Sequence, residues 1–391
     1  MRPGRRPNAV NKVTTTAPSA RAPMPARATS HQGAPIMREG EGSMSRRGRC
    51  TIEATPLPTG APCVTLSAMA TQRAGVPALD ATPWAPPAAV GVVMKPFRSL
   101  AATDALARAL ECELRRWGVV YELVRTRGPG DATDLARRFL TDGADALVAV
   151  GGDGTVAEVL SALVGTGVPL GIVPRGTGNQ LAMNLGIPKA LPAAVAVALA
   201  AQPRPLDVGN LDDGRVCALN VGVGWAADLM LACPPEFKRR WGFAGYVAMT
   251  ARLALRPRRR RFRVVADELE WVGDAATVLA TNCPVLYVPG SPLRLRLAPD
   301  AAVDDGRFDL LVAAPRHGAD AVNLLLRLAR DGAEGDRRLW RARARTLTIE
   351  ADPPAPVQRD GDPAGTTPLR LVVEPGAAHV RVPPAPPPPP A

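Results

Sequence analysis

Histidine and aromatic side chains are scarce in this chain: three His, with Phe, Trp and Tyr together only 4% of 391 residues. So few rings leave little for stacking bases, which speaks against nucleic acid as a partner. The six cysteines (Cys50, Cys63, Cys112, Cys217, Cys233, Cys283) form no CxxC pair. Without paired Cys or clustered His there is no zinc-site or disulfide-framework pattern, and reduced thiols in a cytoplasmic protein fit better. Long apolar runs are also missing. The richest, 191–201, is Ala-rich and about half the length that a membrane span requires.

Charge is plentiful but uneven. The chain carries a net +12, of which residues 1–85 supply +7, eleven Lys/Arg against four Asp/Glu. That segment is rich in Arg, Ala, Pro, Thr and Ser, without an apolar period, and reads as a disordered basic tail. It has no acid before Glu39, as in organelle transit peptides, but shows no amphipathic helix. Residues 383–391 read as a second, Pro-rich tail.

From position 89 the texture changes. Apolar strand candidates at 89–94, 119–124, 146–150 and 170–173 alternate with helical patterns at 100–117, 131–140 (capped by Asp131) and 155–163. That alternation predicts βαβ units and a parallel sheet. After about 205 the strand candidates become consecutive: 206–211, 216–221, 262–265, 277–281, 293–297, 308–312, 347–350 and 369–373. Helical stretches at 242–255 and 319–330 interrupt them. The expected architecture is an α/β nucleotide-binding domain with a parallel sheet (86–205) plus a β-rich, largely antiparallel second domain (206–382). Its last strands are free to return to the first domain.

Gly151-Gly152-Asp153-Gly154-Thr155 follows a buried strand and opens a helix. Glycines let the backbone approach an anion, and the helix start points unpaired N–H groups at it. Thr155 adds a hydroxyl; Asp153 suits a cation or a water network. Pro174-Arg175-Gly176-Thr177-Gly178-Asn179 repeats the logic one strand on. Arg175 is either a phosphate contact or a solvated loop charge. Two such loops at adjacent strand ends predict the two walls of a nucleotide cleft. Neither is a Walker A or a GxGxxG motif.

With these loops the sequence resembles the diacylglycerol kinase catalytic family, which includes YegS-like lipid kinases and sphingosine kinases. The resemblance rests on GGDGTVAEV (151–159) and PLGIVPRGTGNQLAMNLGIP (169–188). TRGPGDATDLA (126–136), LDVGNL, ALNVGVG, LAPDAAVDDGRFDL and RDGD (359–362) fall in the family's order. It spans about 88–382 and implies an ATP-dependent lipid kinase that uses magnesium. By resemblance Thr126, Gly151, Gly152, Asp153, Gly154, Thr155, Gly176, Thr177, Gly178 and Asn179 would bind the nucleotide. Asp305 would associate with magnesium, and Asp360 would be the general base for the acceptor hydroxyl.

Four positions depart from the family: Lys95-Pro96 for Asn-Pro, Ala157-Glu158 for Asn-Glu, Asn179-Gln180 for Asn-Asp, and Asp360-Gly361-Asp362 for Asp-Gly-Glu. They leave two other readings open, an NAD kinase-like enzyme and a nucleotide- or lipid-binding pseudokinase. Lys238-Arg239-Arg240-Trp241-Gly242-Phe243 and Arg256 to Arg263 flank an apolar helix. Such basic flanks fit transient, peripheral contact with an anionic membrane from the cytoplasm. A core helix with solvated charged ends is the competing reading.

Overall fold

The computed structural model describes residues 86–97, 99–288 and 291–384, without the side chains of 235, 236, 238, 239 and 242–244. The basic tail read at 1–85 lies outside the described residues, as do 385–391 of the Pro-rich tail and the side chains of Lys238, Arg239 and Phe243. The described residues fall in one compact unit, Ala61–Ala391.

Strand β1 (Ala89–Met94), helix α1 (Leu100–Arg116), β2 (Val120–Arg125), α2 (Asp131–Thr141), β3 (Ala146–Gly151), α3 (Asp153–Leu163) and β4 (Leu170–Pro174) alternate along the chain. β1 pairs in parallel with β2 and β3, and β3 with β4. Every residue of β3 is buried, as a strand covered on both faces must be. One cover is α1 with α5, which pack Leu110, Leu114, Val195 and Leu199 on Val90, Val92 and Val148. The other is α2 with α3, whose Phe139, Val159 and Leu160 meet Leu147 and Ala149.

Two short helices follow β4: α4 (Gln180–Asn184) and α5 (Leu191–Ala200). α5 is the apolar run noted in the sequence. It is a core helix of ten residues, and no helix among the described residues is long and apolar enough to cross a membrane.

The remaining chain is mostly strand. It contains β5 (Pro203–Leu211), β6 (Val216–Cys217), β7 (Asn220–Gly224), α6 (Trp225–Ala232), α7 (Pro235–Leu255), β8 (Arg260–Ala266), β9 (Leu269–Ala275) and β10 (Thr277–Thr281). Then come β11 (Val285–Tyr287), β12 (Arg294–Arg296), β13 (Phe308–Ala313), α8 (Gly318–Arg330), β14 (Leu339–Ala344) and β15 (Thr346–Asp352). The chain ends with β16 (Pro356–Arg359), β17 (Asp362–Thr366) and β18 (Leu369–Arg381). Six of these strands form an antiparallel sheet in the order β14-β13-β10-β7-β16-β17.

The long strand β18 returns to the first sheet. It lies beside β4, with Val380 opposite Leu170, and pairs antiparallel with β5 and β15. The result is a ten-stranded mixed sheet, β2-β1-β3-β4-β18-β15-β8-β9, with β5 and β6 attached through β18. Alternation decides how its far end packs. In β8, Phe262, Val264 and Ala266 point inward while Arg261 and Arg263 face out. Phe262 meets Phe308, Leu310, Val278 and Val223 of the six-stranded sheet, forming a sandwich core. Burying each such phenylalanine contributes roughly 2–3 kcal/mol. The architecture is thus an α/β domain whose parallel strands continue into a mixed sheet, plus a β-rich antiparallel sheet.

The cap of α2 differs from the sequence reading. Gly130, in left-handed backbone at φ 83°, is its N-cap, and Asp131 is the first helical residue. Asp131 reaches back to the Arg127 N–H at 2.8 Å. The α2 N–H of Ala132 is taken instead by Glu158 of α3, at 3.1 Å.

Candidate active site

The carboxyl ends of the parallel strands set the site's floor. Lys95 N–H donates to Val150 O at 2.9 Å, Thr126 N–H to Met94 O at 2.9 Å, and Arg175 N–H to Gly151 O at 2.7 Å. Lys95, Thr126 and both glycine loops therefore share one edge, where open α/β sheets bind ligands. Lys95 is exposed there.

The two loops touch. A Cβ on Gly176 would lie 2.3 Å from Gly152 Cα, so only glycine fits at this crossing. Gly152, at φ −100° and ψ −172°, is the N-cap of α3. Val156 is the first residue in the helix ladder, bonding Gly152 O at 3.1 Å. The N–H groups of Gly154 and Thr155 precede it at the positive end of the helix dipole. Gly154 is exposed, and a Cβ there would meet nothing within 4 Å. Thr155 is buried beneath Gly151.

Asn179 closes the second loop from a left-handed conformation at φ 50°. Its Oδ1 accepts Gly176 N–H and its Nδ2 donates to Gly176 O, each at 2.8 Å. Its side chain is thus committed to loop shape, while Thr177 stands exposed at the tip. Arg175 follows neither sequence reading. Its Nη1 donates to Pro174 O and Lys189 O, both at 2.8 Å, stapling the loop to the segment after α4.

Asp153 also has an internal partner: Oδ1 accepts Leu181 N–H at 3.3 Å and so caps α4. Its carboxyl lies above the usual carboxylate range. Burial is the main cause, backbone donors from Leu181 and Gln180 oppose it, and the Asp360 charge adds to it. The Asp360 charge is thus felt at the phosphate loop.

Asp360 sits at φ 50° in the turn between β16 and β17. Oδ1 accepts Leu219 N–H at 2.9 Å, Asn220 N–H at 3.0 Å and the Cys217 thiol at 3.2 Å; Oδ2 accepts Ala218 N–H at 2.9 Å. A carboxylate offers about four lone-pair positions, two on each oxygen. Oδ1 is saturated, and Oδ2 keeps one position for a further donor. Gln358 holds the turn by accepting Gly361 N–H at 2.8 Å and donating to Asn220 Oδ1 at 2.7 Å.

Asp305 lies apart, in the loop before β13. Its Oδ1 accepts Arg307 N–H at 3.1 Å, and its Oδ2 is ion-paired to Arg343. Among the described residues no group of three or more His, Cys, Asp or Glu side chains is arranged to hold a metal ion. In this arrangement the carboxylate expected beside magnesium is ion-paired instead. A cavity of about 260 Å³ opens nearby, lined by Asp300, Asp309, Arg341 and Arg343.

Two residues to which the sequence assigned no role support the site. Asp207 is fully buried and accepts Gly306 N–H at 2.5 Å and Gly376 N–H at 2.8 Å. Asn282 donates to Asp207 O at 2.9 Å and to Ala218 O at 3.3 Å, tying the Asp305 loop to the backbone around Asp360. Asp207 lies within β5 and Asn282 just past β10, and only the fold shows what they hold.

The site thus combines a glycine cradle on parallel strands with a carboxylate held in a turn of the antiparallel sheet. Residues 90–211 match the family model of the diacylglycerol kinase catalytic domain, and 230–382 that of the YegS C-terminal NAD kinase beta sandwich-like domain. The protein named "Probable lipid kinase YegS-like" of Pseudomonas aeruginosa is 31% identical over 258 residues, 65% of this chain and 82% of that one. Its namesake in Pectobacterium atrosepticum is 28% identical over 288 residues, 73% and 93%. An uncharacterized Synechocystis protein is 26% identical over 246 residues, and the chain spans only 56% of its length. A Bacillus anthracis crystal structure titled as a diacylglycerol kinase has the same fold, with TM-score 0.63 and 21% identity over 76% of this chain and 98% of that one. The chain belongs to the diacylglycerol kinase catalytic family, among its YegS-like lipid kinases.

Proposed function

We propose that the protein transfers the γ-phosphate of ATP to the hydroxyl of a lipid alcohol, of the diacylglycerol or sphingoid type. The observation that carries this reading is the glycine cradle at the start of α3, where Gly176 crosses Gly152 so closely that a Cβ would lie 2.3 Å from Gly152 Cα. Phosphoryl transfer needs positioning and charge neutralisation more than covalent help from the protein. The N–H groups of Gly152, Gly154 and Thr155 and the α3 dipole receive the phosphates, with Gly151, Gly176, Thr177 and Gly178 shaping the wall. Asn179 holds that wall in shape, and Thr126 stands further along the same edge, at the end of β2, with β1 between it and the loops. Lys95 adds a cation at the same edge.

Asp360 Oδ2 orients the acceptor hydroxyl and takes its proton as the oxygen attacks the γ-phosphorus. The bond from that phosphorus to the β,γ-bridging oxygen breaks, and ADP leaves. Magnesium bound with the nucleotide would neutralise charge on the transferred phosphate, and Asp305 would reach it only by leaving the Arg343 guanidinium. The lipid acceptor sets the work at a membrane surface, and we place it on the cytoplasmic side.

The test is incubation with ATP–magnesium labelled at the γ-phosphate, against diacylglycerol, a sphingoid base, a polyprenol and NAD. Label on a lipid supports the reading. Label on NAD alone would instead make the protein an NAD kinase. ATP binding without label anywhere would make it a pseudokinase.

A further inference from the structure

Helix α7 turns an unusual face to water. Residues 240–241, 247–248, 251–252 and 255–256 are exposed and recur at helical spacing, so they share one side. A surface helix normally presents charged and polar groups outward. Here the outward stripe holds Trp241, Val247 and Leu255, exposed by 58%, 43% and 62%. Arg240, Arg252 and Arg256 stand along it, the first with its guanidinium 5.6 Å from the Trp241 ring. Arg252 and Arg256 have no carboxylate partner among the described residues, and α7 contains a single acid, Glu236.

We propose that this face of α7 is a docking surface for an anionic phospholipid bilayer. Trp and Leu side chains settle at the boundary of headgroups and acyl chains, while guanidinium groups pair with phosphates above it. The charge pattern argues against a second copy of the chain as occupant. Face-to-face pairing would oppose Arg252 and Arg256 to arginines of the partner with no acid between them. A nucleic-acid backbone would leave the apolar stripe uncovered. Placement fits the proposed reaction. α6, which leads into α7, packs on β16 and β17, the strands either side of the Asp360 turn. The inference takes its purpose from the lipid-acceptor reading, but its test does not depend on that reading.

The full chain is mixed with vesicles of phosphatidylcholine, or of phosphatidylcholine with phosphatidylglycerol, and sedimented at low and high salt. Bound protein is expected to rise with phosphatidylglycerol and fall with salt. Trp241→Glu with Val247→Glu is expected to weaken binding about tenfold or more, and Arg252→Glu with Arg256→Glu to remove the preference for anionic lipid. These positions are exposed, so unchanged thermal melts confirm folding. Wild-type protein that ignores anionic vesicles at low salt would overturn the proposal, as would variants that bind like wild type. A lipid-free dimer dissociated by Trp241→Glu would assign the face to self-association and also overturn it. Transfer of label to a water-soluble short-chain alcohol separates the two ideas: it survives if docking alone is wrong and is absent if the kinase reading is wrong.

Discussion

Gln180 and Tyr287 exchange two hydrogen bonds: Gln180 Nε2 donates to Tyr287 O at 2.7 Å, and Tyr287 N–H returns one to Gln180 Oε1 at 2.9 Å. One helical turn on, Asn184 does the same with Val285, at 2.9 and 3.1 Å. Four helical residues rise about 6 Å and two strand residues about 6.6 Å, so the amides of α4 meet alternate residues of β11. The nucleotide-loop helix thus grips a strand of the other domain as a neighbouring strand would. It explains Gln where the family has Asp: a carboxylate lacks the N–H that Tyr287 O accepts.

Gln180→Glu should therefore loosen β11 without unfolding the protein. The lost donor leaves a partly buried carbonyl unpaired, a cost of about 1–3 kcal/mol. Hydrogen exchange at the Val288 amide, which follows the freed carbonyl and bonds Leu293 O at 3.0 Å, should quicken in the variant, while exchange in β3 stays as in wild type.

Two glycines separate cradle from scaffold. Gly154→Ala adds a Cβ that meets nothing in the protein. Stability should hold or rise, by up to ~1 kcal/mol, because Ala favours helix over Gly. ATP affinity should fall at least tenfold, since the added methyl occupies the space given to phosphate. Gly176→Ala drives a Cβ to 2.3 Å from Gly152 Cα and should lower both stability and affinity. Thermal melts and calorimetric ATP titration of the two variants check the contrast.

The alternating βα half was legible because β3 and β4 are apolar throughout and end in glycine loops. The later half was less so. β11 is three residues long, β9 faces water on an edge, and the β16–β17 hairpin is hidden by its short strands, which carry Pro356, Pro363 and Gly365. α5 is apolar around most of its circumference, so it shows no amphipathic period. The cradle glycines and Asp360 could be named from motifs. The donors around Asp360, the grip of Gln180 and Asn184, and the Asp305–Arg343 pair could not, because each joins residues far apart in the chain.

Burial pushes the Asp309 carboxyl up to about 6, opposed by Arg343 and assisted by Asp305 and Asp300. In the unfolded chain such a group titrates near 4. Between roughly pH 4 and pH 6 the folded form keeps a proton that the unfolded form has lost. This group's contribution to stability therefore falls as pH rises through that window and is flat above it. Urea midpoints for wild type and Asp309→Asn should diverge across the window and run parallel above it.

The Arg343–Asp305 pair predicts how the protein treats free magnesium. With the guanidinium in place, magnesium without nucleotide should not raise the melting temperature. Arg343→Ala frees the carboxylate, and the same titration should then show a rise. A rise already in wild type would make Asp305 a metal ligand despite its ion pair.

The most direct test of the central claim compares wild type with Asp360→Asn, measuring ATP binding and label transfer to the preferred lipid on the same preparations. Asn tolerates the left-handed backbone at this position, so the turn should form. The account predicts unchanged ATP affinity and transfer slowed by roughly 10²–10⁴-fold, the usual contribution of a general base. Transfer at the wild-type rate, with ATP bound equally well, would contradict it.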